Sequence, residues 1–182
     1  MLNILSVIII LSCEPNKGNH TKTVQPNKID ICDLSKDVTI YGDYITANAK
    51  EIVKDKKDSC VLRVLDSLAY YVKQKNSKQC LGLLNDLCNV SDGYVSEAYD
   101  EMLASLFETN IHLLVNFIVD KKSENFNLFL IEGLKYKIQA GTDYEQNKKR
   151  ILGLIEKETP GFDNEKQIYL KKLVNQIQIK MD

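Results

Sequence analysis

The sequence predicts an all-α protein in which about seven or eight helices pair antiparallel and stack. Three observations predict it. Between Pro26 and Pro160 the chain contains no proline, so nothing in that interval locks φ or removes a backbone donor from a helix interior. The same interval is rich in leucine, lysine, glutamate, asparagine and tyrosine, a composition that suits helices joined by short turns. Its apolar residues recur every three or four positions, the repeat of one helical face, with capping residues ahead of several runs.

In chain order, the first helix is expected across Tyr44 to Lys54, with Ile45, Ala49, Ile52 and Val53 on its face. The piece just upstream, "VTIYG", alternates as a short strand does, and periodicity does not choose between a strand and a helix there. Val61, Leu65, Leu68 and Val72 form the second face, with Ser59 at its N-cap. Ser77 precedes Cys80, Leu84, Leu87 and Cys88, the third. Asp92 opens a helix carrying Val95, Tyr99, Met102 and Leu106, and a separate one carries Ile111, Leu114, Val115 and Ile118. Ser123 stands before Phe126, Leu130, Leu134 and Ile138, and Gly141 closes that helix in the left-handed position favoured by glycine. In "TDYE" Thr142 and Glu145 form a capping box for the helix of Ile151, Leu152 and Ile155, which Pro160 ends. Asp163 caps the last, with Leu170, Leu173, Val174 and Ile177.

Ser59, Asp92 and Ser123 lie 33 and 31 residues apart, close to the period of helix-pair repeats. The architecture thus resembles a HEAT-like α-solenoid slightly more than an irregular helical bundle. No residue motif recurs at that period, and a resemblance of architecture carries no activity with it.

The N-terminus divides differently. "MLNILSVIIILSC" runs without a charged side chain as far as Cys13 and then turns to "EPNKGNH". An apolar run of about 11 residues is too short to span a bilayer as a helix but fits the hydrophobic region of a secretion signal. Ile10, Leu11, Ser12 and Cys13 resemble the lipobox of bacterial lipoproteins. That resemblance implies lipid on the Cys13 sulfur, cleavage between Ser12 and Cys13, and acylation of the new amino terminus. The small Ser12 suits a peptidase pocket that excludes large side chains. Each acyl methylene buried in lipid contributes roughly 0.8 kcal/mol, so several chains would hold the protein at the membrane without a transmembrane helix. Competing readings are an ordinary cleaved signal and a buried N-terminal strand with a chance cysteine. The expected organisation is a signal peptide over 1–12, a flexible tether over 13–36, marked by Pro15, Gly18 and Pro26, and one helical domain over 37–182.

With Cys13 lipidated, Cys32, Cys60, Cys80 and Cys88 remain, an even set suited to an oxidising compartment. Four cysteines allow three pairings. Cys80 and Cys88 on one straight helix would sit roughly 12 Å apart along its axis, too far for a disulfide. An antiparallel hairpin favours Cys60 with Cys88, leaving Cys32 for Cys80; some of the four could instead be plain buried apolar residues. No C-x-x-C occurs, and neither His20 nor His112 has a cysteine near it in sequence, which argues against zinc.

Little else carries chemistry. The formal charge of −1, with 24 basic and 25 acidic residues, gives no electrostatic footprint for nucleic acid. The eight glycines form no phosphate-binding loop, and no cofactor is expected. His112, beside Asn110 and Leu113, has no nucleophile motif to serve. Glu97, Asp100 and Glu101 share a helix, and Glu97 and Glu101 are one turn apart, but carboxylate pairs that hydrolyse glycans flank a substrate cleft, commonly lined by aromatic sugar platforms. There is no tryptophan to line one. A solvated face explains these three, and likewise Glu156 and Glu158. The nine tyrosines are the one compositional hint of an interface.

The sequence therefore points to a lipid-anchored domain of the bacterial cell envelope that binds a protein or supports an assembly without catalysing a reaction. An immunity or inhibitor lipoprotein that blocks a toxin or a wall-degrading enzyme is the alternative. An envelope hydrolase built on Glu97, Glu101 or His112 is a lesser one.

Overall fold

A computed structural model describes residue 31 and residues 41–91 and 93–178. Among the described residues every regular element is helical. The order is α1 (Gly42–Asp55), α2 (Asp58–Lys75), α3 (Lys78–Cys88), α4 (Gly93–Lys121), α5 (Glu124–Gln139), α6 (Tyr144–Glu158), one 3-10 turn (Thr159–Gly161) and α7 (Asn164–Ile177). The all-α expectation is met, and the uncertain first helix is present as α1. Of the "VTIYG" stretch, residues 38–40 lie outside the described residues, while Tyr41 is the N-cap of α1 and Gly42 its first residue.

Most residues of the faces named from periodicity bury; Met102, Leu152 and Val174 are only partly buried. Val61, Leu65, Leu68 and Val72 of α2 are all in the core, as are Cys80, Leu84, Leu87 and Cys88 of α3 and Phe126, Leu130, Leu134 and Ile138 of α5. Tyr99, Phe107 and Phe126 are the bulkiest fully buried side chains, and among the described residues no charged or amide side chain is buried. Ile31, inside the stretch expected as a tether, is instead 0% exposed and belongs to the same core.

The caps are less faithful to the expectation. Ser77 accepts from the Cys80 amide at 3.2 Å and Asp163 from the Lys166 amide at 3.1 Å, both as expected. α2, however, starts at Asp58 with Lys57 as its N-cap, which puts Ser59 inside the first turn. α6 starts one residue later than a Thr142 cap requires, with Asp143 as N-cap and no side-chain cap bond, so the capping box is not formed. Asn147 Nδ2 instead reaches back to the Ala140 carbonyl at 3.0 Å across that turn. Asp92 lies outside the described residues, and Ser123 alone of the three evenly spaced residues is found at an N-cap. Its hydroxyl bonds to Asn85 Oδ1 rather than to its own helix. Gly141 follows α5 with φ +78, as the left-handed stop requires.

The two helices expected around Tyr99 and around Leu114 are present as the two halves of α4, joined across a kink without a loop. α4 runs through both and bends at Asn110, whose φ of −137 and ψ of 40 leave the helical region. Thr109 Oγ1 donates to the Ser105 carbonyl at 3.1 Å, and Asn110 Nδ2 donates to Asn76 Oδ1, at the end of α2, at 2.9 Å. Short polar side chains that bond backbone and neighbours in this way compete with the helical ladder and bend it. Asn48, whose Nδ2 donates to the Tyr44 carbonyl at 2.8 Å, marks a similar break in α1.

The α4–α5 hairpin holds the centre, with α2 and α3 packed against it and carrying α1, and with α6 and α7 packed against it apart from them. That linear order of neighbours is the one a stack of helix pairs has. Helices α2, α3, α5, α6 and α7 all touch α4. By length and composition α4 is apolar enough to cross a bilayer, but a helix packed from several directions needs apolar residues on more than one face for that reason alone.

Candidate functional site

Lipidation at Cys13 and cleavage at Ser12 fall outside the described residues, as does Cys32. Cys60, at the start of α2, is disulfide-bonded. Cys88 is a free thiol packed in the core at the end of α3, so the expected Cys60–Cys88 bridge is not formed. Burial, and then the Asp100 carboxylate, push the Cys88 thiol up to about 12, which keeps it protonated and unreactive at neutral pH. The Cys32–Cys80 pairing rests on Cys32 and lies outside the described residues; Cys80 itself is buried on α3.

The acidic residues of α4 diverge. Glu97 and Glu101 are exposed, and Glu101 lines an open groove of about 380 Å³ between α2 and α4 with Asp66, Tyr70, Lys73 and Met102. Asp100 turns inward. Its Oδ1 is shut off from solvent with no hydrogen-bond partner, and burial, then Glu132, then Glu97, raise its pKa from 3.8 to about 6. Glu132 of α5 was not singled out from the sequence, because it lies more than thirty residues from Asp100 and only the crossing of α4 and α5 brings them together. Among the described residues no three His, Cys, Asp or Glu side chains come together as a metal-holding set.

His112 is placed away from these acids. Its Nε2 meets Glu158 Oε2 at 3.1 Å and its ring stacks on Phe162 at 4.3 Å, tying the middle of α4 to the end of α6 and the turn beyond. Lys157 first, and His112 with it, hold the exposed Glu158 carboxyl below its ordinary range. A second unforeseen cluster joins the same helices: Glu108 of α4 takes Arg150 of α6 at 2.7 Å and Lys137 of α5 at 3.6 Å. Both groups work as struts between elements.

The tyrosines separate by role. Tyr99 is fully buried, while Tyr41, Tyr44, Tyr71, Tyr144 and Tyr169 pack partly buried against the core. Tyr169 donates to Asn127 Oδ1 at 2.7 Å, and burial raises its phenol above the ordinary range. Tyr70, Tyr94 and Tyr136, at 59%, 60% and 62% exposed, face outward from α2, α4 and α5, with Leu128 of α5 at 57% and Ile168 of α7 at 44%. Two further open grooves accompany them. One, of about 460 Å³, lies between α6 and α7 and is lined by Leu152, Pro160, Leu170 and Val174. The other, of about 320 Å³, contains Ile168 beside Lys122 and Lys172.

No family model matches the chain, and no curated protein or solved structure matches it either.

Proposed function

We propose that this chain is a lipid-anchored domain of the bacterial cell envelope, fastened through Cys13, that presents a helical stack to a protein partner. The observation that supports it most is the exposure of Tyr70, Tyr94 and Tyr136 on three neighbouring helices of one packed body. Tyrosine offers a large, stiff, amphipathic contact area, which is why it is enriched at protein interfaces. The reading also accords with the tying of His112 to Glu158 and Phe162 and with the burial of the Cys88 thiol, which leave those two groups in structural employment.

The anchor has a sharp internal test, because Cys60 is disulfide-bonded. A lipidated Cys13 has no thiol left to pair, so under this proposal the partner is Cys32. Fed a labelled fatty acid, cells making the native chain should yield a labelled protein that begins at Cys13. Its unreduced digest should link the Cys60 peptide to the Cys32 peptide. Cys13→Ser should abolish the label and leave a precursor of full size. A native protein that begins at Met1 without fatty acid, or a Cys60–Cys13 bridge, ends the proposal.

The binding half is tested on the intact envelope. Chemical cross-linking should give a defined adduct with the native chain, and its yield should fall several-fold in Tyr70→Ser, Tyr94→Ser and Tyr136→Ser combined. These residues are exposed, so the variant should keep the native unfolding midpoint. An undiminished adduct would place the contact elsewhere on the surface.

A further inference from the structure

Asp100 sits where the backbones of α4 and α5 come close together: a Cβ added to Gly133 of α5 would stand 1.8 Å from the Asp100 carbonyl oxygen. Backbone meets backbone there, and the Asp100 side chain is carried at the contact. The groups that face it are two acids and a thiol, namely Glu132 from α5, Glu97 from the preceding turn of α4, and Cys88 from α3. Lys135, the cation on that stretch of α5, is already paired with Glu132 at 2.9 Å. Asp86 of α3 is engaged by Thr46 of α1 at 3.1 Å. An ionised Asp100 is therefore partly desolvated, repelled by two carboxylates and left with one sealed oxygen that accepts nothing. A protonated Asp100 loses the repulsion and gains an O–H that can donate to a neighbouring oxygen.

We propose that the α4–α5 crossing at Asp100 is a proton-operated joint: with Asp100 protonated the two helices close on each other, and ionisation loosens the hairpin that couples α1–α3 to α6–α7. The burial and charge around Asp100 place the change near pH 6. Because the proton is held more tightly in the folded chain than in the unfolded one, the stabilisation is complete below about pH 3.8, declines as pH rises, and is lost above about pH 6. Glu158 and Asp163, whose carboxyls are held below their ordinary range, act in the opposite sense and only at the acid end. A comparison of about pH 5 with about pH 7.5 spans the change at Asp100 and lies above the acid end.

In denaturant unfolding of the full chain, the native midpoint should be higher at the lower pH. Amides of α4 and α5 beside the crossing should also exchange more slowly there, after correction for intrinsic rates. Asp100→Asn, neutral at every pH, should raise the midpoint at the higher pH and remove more than half of the difference between the two. His112→Asn, which removes the histidine that meets Glu158, should leave more than half of that difference in place. Should Asp100→Asn fail to fold, Glu132→Gln carries the test, because taking away one repelling charge should shrink the difference in the same direction. An undiminished difference in the Asp100 and Glu132 variants, or a midpoint lowered equally at both pH values, overturns the joint.

Discussion

Gly133→Ala should cost at least about 3 kcal/mol, enough to unfold a chain of ordinary stability in part or in full. The added methyl would lie 1.8 Å from the Asp100 carbonyl oxygen, 2.5 Å from its carbon and 3.0 Å from its Cα. All three are backbone atoms of a helix held on several sides, so no side chain can swing away, and α4 and α5 must part by more than an ångström. That separation would open the most extensive contact in the molecule, including the edge-to-face pair of Phe117 and Phe126 at 5.7 Å. Glycine in a helix is otherwise a liability of roughly 0.5–1 kcal/mol relative to alanine, so the sign of the effect is diagnostic. Gly153 of α6, where an added Cβ meets nothing within 4 Å, is the control, and its alanine variant should be neutral or slightly stabilised. Denaturant midpoints of the two variants, measured side by side, decide it. A Gly133→Ala protein as stable as the native one would mean that the close crossing is not present in solution.

Tyr99→Ala should cost about 3–5 kcal/mol by leaving a large cavity at the heart of the stack. Tyr99 is 0% exposed, its ring stacks on Phe129 of α5 at 5.7 Å between centroids, and its hydroxyl donates to the Leu84 carbonyl of α3 at 3.2 Å. One side chain thus joins three helices. Burial, and then the neighbouring Cys88, hold its phenol well above the ordinary range, so it remains a donor at neutral pH. Tyr99→Phe separates the contributions: it keeps the ring and loses the hydrogen bond, for about 1 kcal/mol. The check is unfolding of both variants by heat or denaturant. Equal losses in the two would show that the hydrogen bond, and not the packing of the ring, carries the effect.

Much of the fold was legible because helical burial is a local signal. Val61, Leu65, Leu68 and Val72 recur on one face whatever the remaining helices do, and a chain that buries that face must make that helix. Ser77 and Asp163 were legible for the same reason, since an N-cap is satisfied within its own first turn. Ser59 and Thr142 failed as caps, although each looks equally suitable on paper. Where a helix starts depends on which residues its neighbours bury, and Cys60 and Val61 are drawn into the core from a helix that has already begun at Asp58. The break expected between Leu106 and Ile111 is present as a kink at Asn110, where Asn76 of α2 holds Asn110 from outside the helix.

The candidate surface was legible only as a composition. Nine tyrosines suggested contact area, but which of them face outward was settled by the packing of α2, α4 and α5. The Cys60–Cys88 pairing failed because hairpin reasoning counts only how near two helix ends lie, whereas Cys88 is taken up as a free thiol in the core.

By itself the sequence determined the helical class, most of the residues each helix buries and the uncharged run ending at Cys13, all of which depend on residues within a turn or two of one another. Only the tertiary structure decided that Gly133 must lack a side chain, that Asp100 meets Glu132, and that His112 braces α6. Those contacts join positions separated by about thirty to fifty residues, and periodicity, which reports the environment of a residue, carries no information about which distant residue supplies it.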